Sequence, residues 1–144
     1  MNQDFLDLLR AFIAAEVRFL VVGAYALALH GRPRATGDLD VWVEASPENA
    51  RRLWGALAAF GAPMADIAEA DFTRPGVTYQ IGLPPRRIDV LTELTGLSFA
   101  EAWPGRVRGS FGGVEVDFIG RADFVRNKRQ TGRLKDLVDI EGLE

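Results

Sequence analysis

The chain has 144 residues, the usual length of one domain, and we expect a single domain over residues 1–144. Its composition, 48% hydrophobic and 26% charged, is that of an ordinary globular protein. The formal net charge of -3 argues against a surface coated in positive charge for nucleic acid or membranes, although a local basic patch is compatible with it. The lack of cysteine excludes disulfides, thiolate zinc sites and cysteine nucleophiles.

Apolar patterning predicts helices and strands that alternate along the chain. Helical spacing predicts helices over residues 4–16, 24–30, 47–60, 123–131 and 134–143. Short apolar runs between turn residues predict strands over residues 18–22, 39–44, 77–82, 87–91, 107–111 and 114–119. This order predicts an α/β or α+β fold with a mixed sheet flanked by helices.

The sequence carries no pattern of export or membrane insertion. The N-terminus MNQDFLDLLR lacks a basic region followed by an apolar run. The apolar runs elsewhere are too short for a membrane-spanning helix. Together with the lack of cysteine, this predicts a cytoplasmic protein with no membrane partner.

Two aspartates lie at the start of the strand in RPRATGDLDVWVE, which covers Arg32 to Glu44. Residues two apart on a strand point the same way, so Asp38 and Asp40 share one face. Two adjacent carboxylates repel each other unless a cation lies between them, and Mg²⁺ prefers such oxygen ligands. The alternative is that Asp38 caps a turn and Asp40 forms a surface ion pair.

A third aspartate, Asp89, lies in the apolar segment RRIDVLTEL. An unpaired charge in a buried strand is costly, so Asp89 needs a partner. That partner is either a metal ion shared with the first two aspartates, or Arg86, Arg87 or another arginine. Asp117, near the end of the strand over residues 114–119, is a rival for the third carboxylate.

Three further positions near the first two aspartates have a functional and a structural interpretation. The Gly23-Ala24 step lies between a strand and a helix, where backbone N–H groups bind phosphate or small residues permit tight packing. His30 is the only histidine, and we expect it to pack at a helix C-terminus. Trp42 shares the face of the aspartates, where it stacks on a base or fills the core.

Three segments resemble the nucleotidyltransferase superfamily. FLVVGAYALALHGRPRATGDLDVWVE is similar to its signature of a glycine and a small residue after a strand, a short helix, and Asp-x-Asp on the next strand. The Arg-x-Thr-x-Asp-x-Asp form most resembles the AbiEii-like branch, which includes toxins of toxin–antitoxin systems. RRIDVLTEL matches the strand of the third metal-binding carboxylate, and FVRNKRQTGRLKDLVDIEGL resembles the C-terminal helical motif, about residues 121–143. Ala24 departs from the usual glycine or serine, so a phosphate would gain no hydroxyl there.

The resemblance implies roles for particular residues. The metal ligands are Asp38, Asp40 and Asp89, with Mg²⁺ or Mn²⁺ as the cofactor, and Asp89 is also the base for an acceptor hydroxyl. Lys128 is implied to be catalytic and to bind phosphate. The other implied nucleotide-binding or phosphate-binding residues are Gly23, Ala24, Arg34, Thr36, Arg133 and Asp136.

The basic residues also have a plainer interpretation. Lys135 is a further candidate for offsetting the charge of departing pyrophosphate. Arg126 and Arg129 are explained equally well as a solvated helix face, on which Lys135, Asp136 and Asp139 would form surface pairs. Arg32 and Arg34 either reach phosphates or are simple loop charges.

The implied reaction is transfer of a nucleoside monophosphate from a nucleoside triphosphate to an acceptor hydroxyl. The implied acceptor is RNA, especially a tRNA end, ahead of a protein hydroxyl. The resemblance also suggests the toxin of a toxin–antitoxin system, with a cognate antitoxin as partner. The alternatives are a non-catalytic nucleotide-binding module, and an antitoxin-type nucleotidyltransferase that modifies its cognate toxin. The sequence predicts neither the nucleotide nor the oligomeric state.

Overall fold

The computed structural model describes residues 2–31, 37–141 and 143. Within these ranges six strands form one sheet, namely β1 (Phe19–Val22), β2 (Leu39–Val43), β3 (Thr78–Ile81), β4 (Ile88–Leu91), β5 (Val107–Phe111) and β6 (Val114–Phe118). The helices of the same ranges are α1 (Gln3–Ala14), α2 (Gly23–Leu29), α3 (Pro47–Phe60), α4 (Phe99–Ala102), α5 (Arg121–Thr131) and α6 (Leu134–Asp139), with 3₁₀ turns at Glu69–Thr73 and Trp103–Gly105. The strand order is β3-β4-β2-β1-β6-β5, and β2 runs parallel to β4 but antiparallel to β1. The predicted α/β fold with a mixed sheet is confirmed.

The sheet has one apolar face and one face that carries the first aspartates. On the apolar face, Phe12 of α1 packs edge-on against Phe19 of β1, with ring centroids 5.4 Å apart. On the other face, Trp42 follows Asp40 by two residues and packs against Phe99 of α4, with centroids 5.1 Å apart. Trp42 is only 1% exposed, so it fills the core rather than offering a surface for a base.

A buried asparagine joins α3 to the ends of the two central strands. Asn49 accepts a hydrogen bond from the Arg18 backbone N–H (2.7 Å) and donates to the backbone carbonyls of Arg18 (3.1 Å) and Glu44 (2.9 Å). Ser46 caps the same helix, because its Oγ accepts the Asn49 backbone N–H (3.2 Å). This bonding fixes α3 against β1 and β2, the strands that lead into and out of the candidate site.

Most predicted elements agree with the structure to within two residues, and the exceptions have clear causes. The last helix ends at Asp139 rather than near residue 143, because the chain turns there and buries Ile140 and Leu143. Helix α4 was not predicted because its four residues are too few to show a helical period. Its sequence signal is the reciprocal capping of Ser98 and Glu101, each backbone N–H bonded to the other side chain at 3.1 Å. None of the helices in the described ranges is long and apolar enough to cross a membrane.

Replacing Asn49 tests how much this buried amide contributes to stability. Asn49→Ala leaves one buried N–H and two carbonyls without their partner, and we expect it to lower the free energy of unfolding by about 2–3 kcal/mol. Urea denaturation of Asn49→Ala measures this loss. Arg51→Ala on the exposed side of α3 is the control and should change stability little. Equal stability of the two variants would contradict the structural role of Asn49.

Candidate functional site

Asp40 and Asp89 face each other on neighbouring parallel strands. They are direct partners in the register of β2 with β4. Burial, the charge of Asp89 and a hydrogen bond between the two carboxyl groups raise the pKa of Asp40 from 3.8 to about 6. Two carboxylates this close repel each other, so a shared proton or a cation stabilises the pair.

Arg87 contacts the carboxylates of both Asp89 and Asp38. Its Nε and Nη2 donate to Asp89 Oδ1 (2.7 Å) and Oδ2 (3.1 Å). Its Nη2 also lies 3.5 Å from Asp38 Oδ2, and its backbone N–H donates to Asp38 Oδ1 (3.0 Å). Of the two partners expected for Asp89, the structure therefore shows the arginine.

The present side-chain positions do not form a ready metal site. Among the described residues, no group of three carboxylate or histidine side chains converges closely enough to hold a metal ion. Both oxygens of Asp89 accept hydrogen bonds from the Arg87 guanidinium. The role of Asp38, Asp40 and Asp89 as metal ligands therefore stays a prediction.

Gly23 lets Asp40 approach the turn between β1 and α2. The residue has a φ of +67°, which other residues rarely adopt, and a Cβ built on it would lie 2.2 Å from Asp40 Oδ2. The tight packing considered for the Gly23-Ala24 step is thus present. Whether the same step also binds phosphate stays a prediction.

One cavity brings the two distant parts of the chain together. Its volume is about 270 Å³, and it lies between the Asp38–Asp40 strand and the helices α5 and α6. The predicted site residues that line it are Gly23, Ala24, Asp38, Asp40, Lys128, Arg133, Lys135 and Asp136. Asp89 lies beside Asp40 on the next strand. Arg34 and Thr36, like Arg32, lie outside the described residues.

Asp136 anchors the positively charged wall of this cavity. It is completely buried and accepts hydrogen bonds from Arg133 Nε (2.6 Å) and Thr131 Oγ1 (2.6 Å), with Lys128 Nζ at 3.5 Å. Burial alone would raise its pKa, but the hydrogen bonds from Arg133 and Thr131 and the charge of Lys128 outweigh burial and lower the pKa to about 2. Asp136 is therefore ionised at neutral pH and holds Lys128 and Arg133 in place.

Lys128 links the two walls electrostatically. Its side chain is 15% exposed, and its charge lowers the pKa of Asp40, opposing the effects of burial and of Asp89. Lys128, Asp38 and Asp40 line the same cavity, so one bound ligand can contact all three. This arrangement puts Asp38 and Asp40 on one side of the cavity, and Lys128, Arg133 and Lys135 with the buried Asp136 and Asp139 on the other.

On α5 and α6, the structure separates buried residues that line the cavity from residues on the exposed helix face. Asp136 and Asp139 do not form the surface pairs considered from sequence, because both are buried and line the cavity. Their three-residue spacing on one helix was a signal that they share a face. Thr131 was not predicted as a site residue, because its position after Lys128 in the chain does not indicate its hydrogen bond to Asp136. Arg126 makes an exposed ion pair with Glu101 (3.9 Å), in line with a solvated helix face.

Two other candidates lie outside the cavity lining. Asp117 pairs with Arg106 (3.6 Å) and Arg108 (3.5 Å), so the structure places this rival carboxylate in a separate ion-pair cluster. His30 caps the C-terminus of α2, and its Nε2 lies 2.8 Å from the Ile119 carbonyl oxygen. The packing role expected for His30 is confirmed.

Comparison with known proteins identifies the fold and leaves the branch open. No family model and no curated protein matches the sequence. A solved structure of a candidate nucleotidyltransferase from Thermotoga maritima is similar, with a TM-score of 0.62, 11% identity, and coverage of 99% of this chain and 93% of that chain. The lincosamide antibiotic adenylyltransferase LnuA, solved with lincomycin bound, is similar with a TM-score of 0.59, 11% identity, and coverage of 99% and 96%. The chain has the nucleotidyltransferase fold, whereas the AbiEii-like branch stays a prediction.

The close approach at Gly23 can be tested by adding one methyl group. Gly23→Ala combines a left-handed backbone with a clash against Asp40, and we expect a loss of about 1–3 kcal/mol in unfolding free energy. Gly55→Ala is the control, because Gly55 lies in α3 with nothing within 4 Å of the added Cβ. That variant should gain about 0.5–1 kcal/mol through helix propensity. Similar denaturation midpoints for the two variants would refute the packing of Gly23 on Asp40.

The raised pKa of Asp40 predicts a pH-dependent stability. The folded chain binds the Asp40 proton more tightly than the unfolded chain does, so ionisation costs stability as the pH rises from about 4 to about 6. In the presence of a chelator, Asp40→Asn should be more stable than wild type at pH 7, by up to about 3 kcal/mol. The advantage should vanish near pH 4.

Thermal unfolding across this pH range measures the effect. Asp66→Asn replaces an exposed aspartate and serves as the control, with no expected gain at pH 7. A difference between Asp40→Asn and wild type that does not vary with pH would show that ionisation of Asp40 is not the cause.

Proposed function

We propose that this chain is a metal-dependent nucleotidyltransferase. It would move a nucleoside monophosphate from a nucleoside triphosphate to an acceptor hydroxyl and release pyrophosphate. The observation that carries the proposal is the single cavity bordered by Asp38 and Asp40 on one side and by Lys128 and Arg133 on the other. Phosphoryl transfer needs both walls, since the donor brings its own negative charge and a bound cation.

The carboxylates suit a hard divalent cation. Asp38, just before β2, Asp40 on β2 and Asp89 on β4 present only oxygen donors, and a cation among them would relieve the repulsion that helps to raise the pKa of Asp40. We propose that these three side chains hold Mg²⁺ or Mn²⁺. When bound, the cation would neutralise charge on the reacting phosphate and favour loss of the proton from the acceptor hydroxyl.

The cationic wall would bind the phosphates of the donor. Lys128 and Arg133 are already held by Asp136, so little side-chain freedom is lost when they bind an anion. Ala24 adds only a methyl group to the cavity lining, and we propose that the backbone N–H groups of the Gly23-Ala24 step bind phosphate. By resemblance, we propose that Arg34 and Thr36 add further phosphate contacts.

The acceptor would approach across the edge of the sheet formed by β3. Gln80 of β3 is the register partner of Asp89 and is exposed, so the face beside Asp89 is accessible from that edge. Asp89 would accept the proton of the acceptor hydroxyl, once its carboxylate is free to do so. We propose RNA, especially a tRNA end, or a protein as acceptor, in the setting of a toxin–antitoxin pair in the cytoplasm.

A small-molecule hydroxyl is a second candidate acceptor. LnuA, which has the same fold, is an antibiotic adenylyltransferase solved with lincomycin bound. The cavity does not by itself choose between a small acceptor and the end of a macromolecule. The adenylyl transfer performed by LnuA also makes ATP the first donor to test.

A labelling assay tests the proposed function. The purified chain is incubated with each α-labelled nucleoside triphosphate, Mg²⁺ or Mn²⁺, and RNA, protein extract or small hydroxyl compounds. Asp40→Asn and Lys128→Met should lower label transfer on the order of 100-fold or more, because each removes charge that offsets the transition state. Arg126→Ala, an exposed basic residue of α5, should keep wild-type transfer.

The assay also separates the proposal from its rivals. Nucleotide binding that needs metal but gives no transfer would contradict catalysis and favour the non-catalytic binding module. Transfer confined to one copurified protein partner would favour the antitoxin-type enzyme that modifies its toxin. Transfer that survives Asp40→Asn would show that the carboxylates have another role.

A further inference from the structure

Arg87 has a position that the proposed reaction does not use. It lies two residues before Asp89 and immediately before Ile88, the first residue of β4. Its guanidinium occupies both oxygens of Asp89 and reaches Asp38 at 3.5 Å. These are two of the three carboxylates that would hold the divalent cation.

The contacts of Arg87 are those of a counter-ion. Its guanidinium contacts two of the three proposed metal ligands, Asp89 and Asp38, and Asp89 is the register partner of the third, Asp40. A cation that binds these ligands has to replace those interactions.

The Arg87 side chain is partly open to solvent. Its side chain is 27% exposed, against 11% for Asp89, so the guanidinium lies at the solvent side of the pair. Its backbone N–H bonds to Asp38 Oδ1 independently of the side chain. Displacing the guanidinium therefore need not disturb the strand or the position of Asp38.

We propose that Arg87 is an internal counter-ion that exchanges with the divalent cation at Asp38 and Asp89. Without the cation, its guanidinium neutralises these carboxylates and keeps them from repelling each other. When the cation binds, the guanidinium gives up Asp89 and moves towards solvent. Arg87 is thus a positioning residue that sets the affinity of the site for metal, an inference that rests on the proposed function because it concerns the same carboxylates.

Direct metal binding tests the exchange without any reaction. Mn²⁺ binding to the full chain, without nucleotide, is measured by calorimetry and by the electron paramagnetic resonance signal of free Mn²⁺. Arg87→Gln removes the competing charge, so Mn²⁺ should bind on the order of tenfold more tightly than to wild type. Arg87→Lys keeps the charge but loses the two-pronged contact with Asp89, and its affinity should be intermediate.

The neighbouring Arg86 supplies a matched control. Arg86 is exposed, so Arg86→Gln removes the same charge from the adjacent position and should change Mn²⁺ affinity much less. Thermal unfolding adds a second readout. In chelator, Arg87→Gln should unfold at a lower temperature than wild type, and saturating Mn²⁺ should raise its midpoint more than that of wild type.

The outcomes separate this inference from the proposed function. Unchanged or weaker Mn²⁺ binding by Arg87→Gln, with wild type binding normally, would overturn the exchange and leave the metal-dependent reaction standing. If Arg87→Gln does not fold in chelator, Arg87→Lys decides the matter, because wild-type or weaker affinity there overturns the exchange. No Mn²⁺ binding by wild type or by any variant would overturn both.

Discussion

Repulsion between the carboxylates of Asp40 and Asp89 is the constraint around which the rest of the site is arranged. The parallel register of β2 with β4 puts them side by side, and burial leaves little water to screen them. Gly23 is needed for Asp40 to fit against the turn, and Arg87 neutralises Asp89 from the solvent side. A buried pair of like charges weakens a fold, so its presence is better explained by binding than by stability.

On the opposite wall of the cavity, formed by α5 and α6, a carboxylate is surrounded by cations instead of by other carboxylates. One buried carboxylate, Asp136, receives hydrogen bonds or charge from Thr131, Arg133 and Lys128. The anion at the centre is fully compensated, and Lys128 remains directed at the cavity with its position fixed in advance. The wall with Asp38 and Asp40 would therefore be stabilised by a bound cation, whereas the wall with Lys128 and Arg133 can bind an anion. A metal-bound nucleoside triphosphate supplies both.

Sequence patterning was sufficient for the fold, because helix and strand periods depend on short-range rules, whereas the candidate site residues on α5 and α6 came from the family resemblance. The two-residue period of a strand placed Asp38 and Asp40 on one face, and helical spacing found α5. Patterning could not decide the partner of Asp89, since a metal ion and Arg87 satisfy the same buried charge. It also left surface ion pairs open for Asp136 and Asp139, because their burial depends on the packing of α6 with the rest of the chain, including α5. The apolar pattern of one helix does not predict which other parts of the chain pack against it.

The central claim is that the strand carboxylates and the α5–α6 cations form one nucleotide site. Backbone NMR of the isotope-labelled chain, titrated with Mn²⁺ and a non-reactive nucleoside triphosphate analogue, tests it most directly. Paramagnetic broadening should centre on Asp40, Asp89 and the turn at Gly23, and analogue-induced shifts should include Lys128 and Arg133. Broadening or shifts confined to another part of the chain, such as the Asp117 cluster, would contradict the claim.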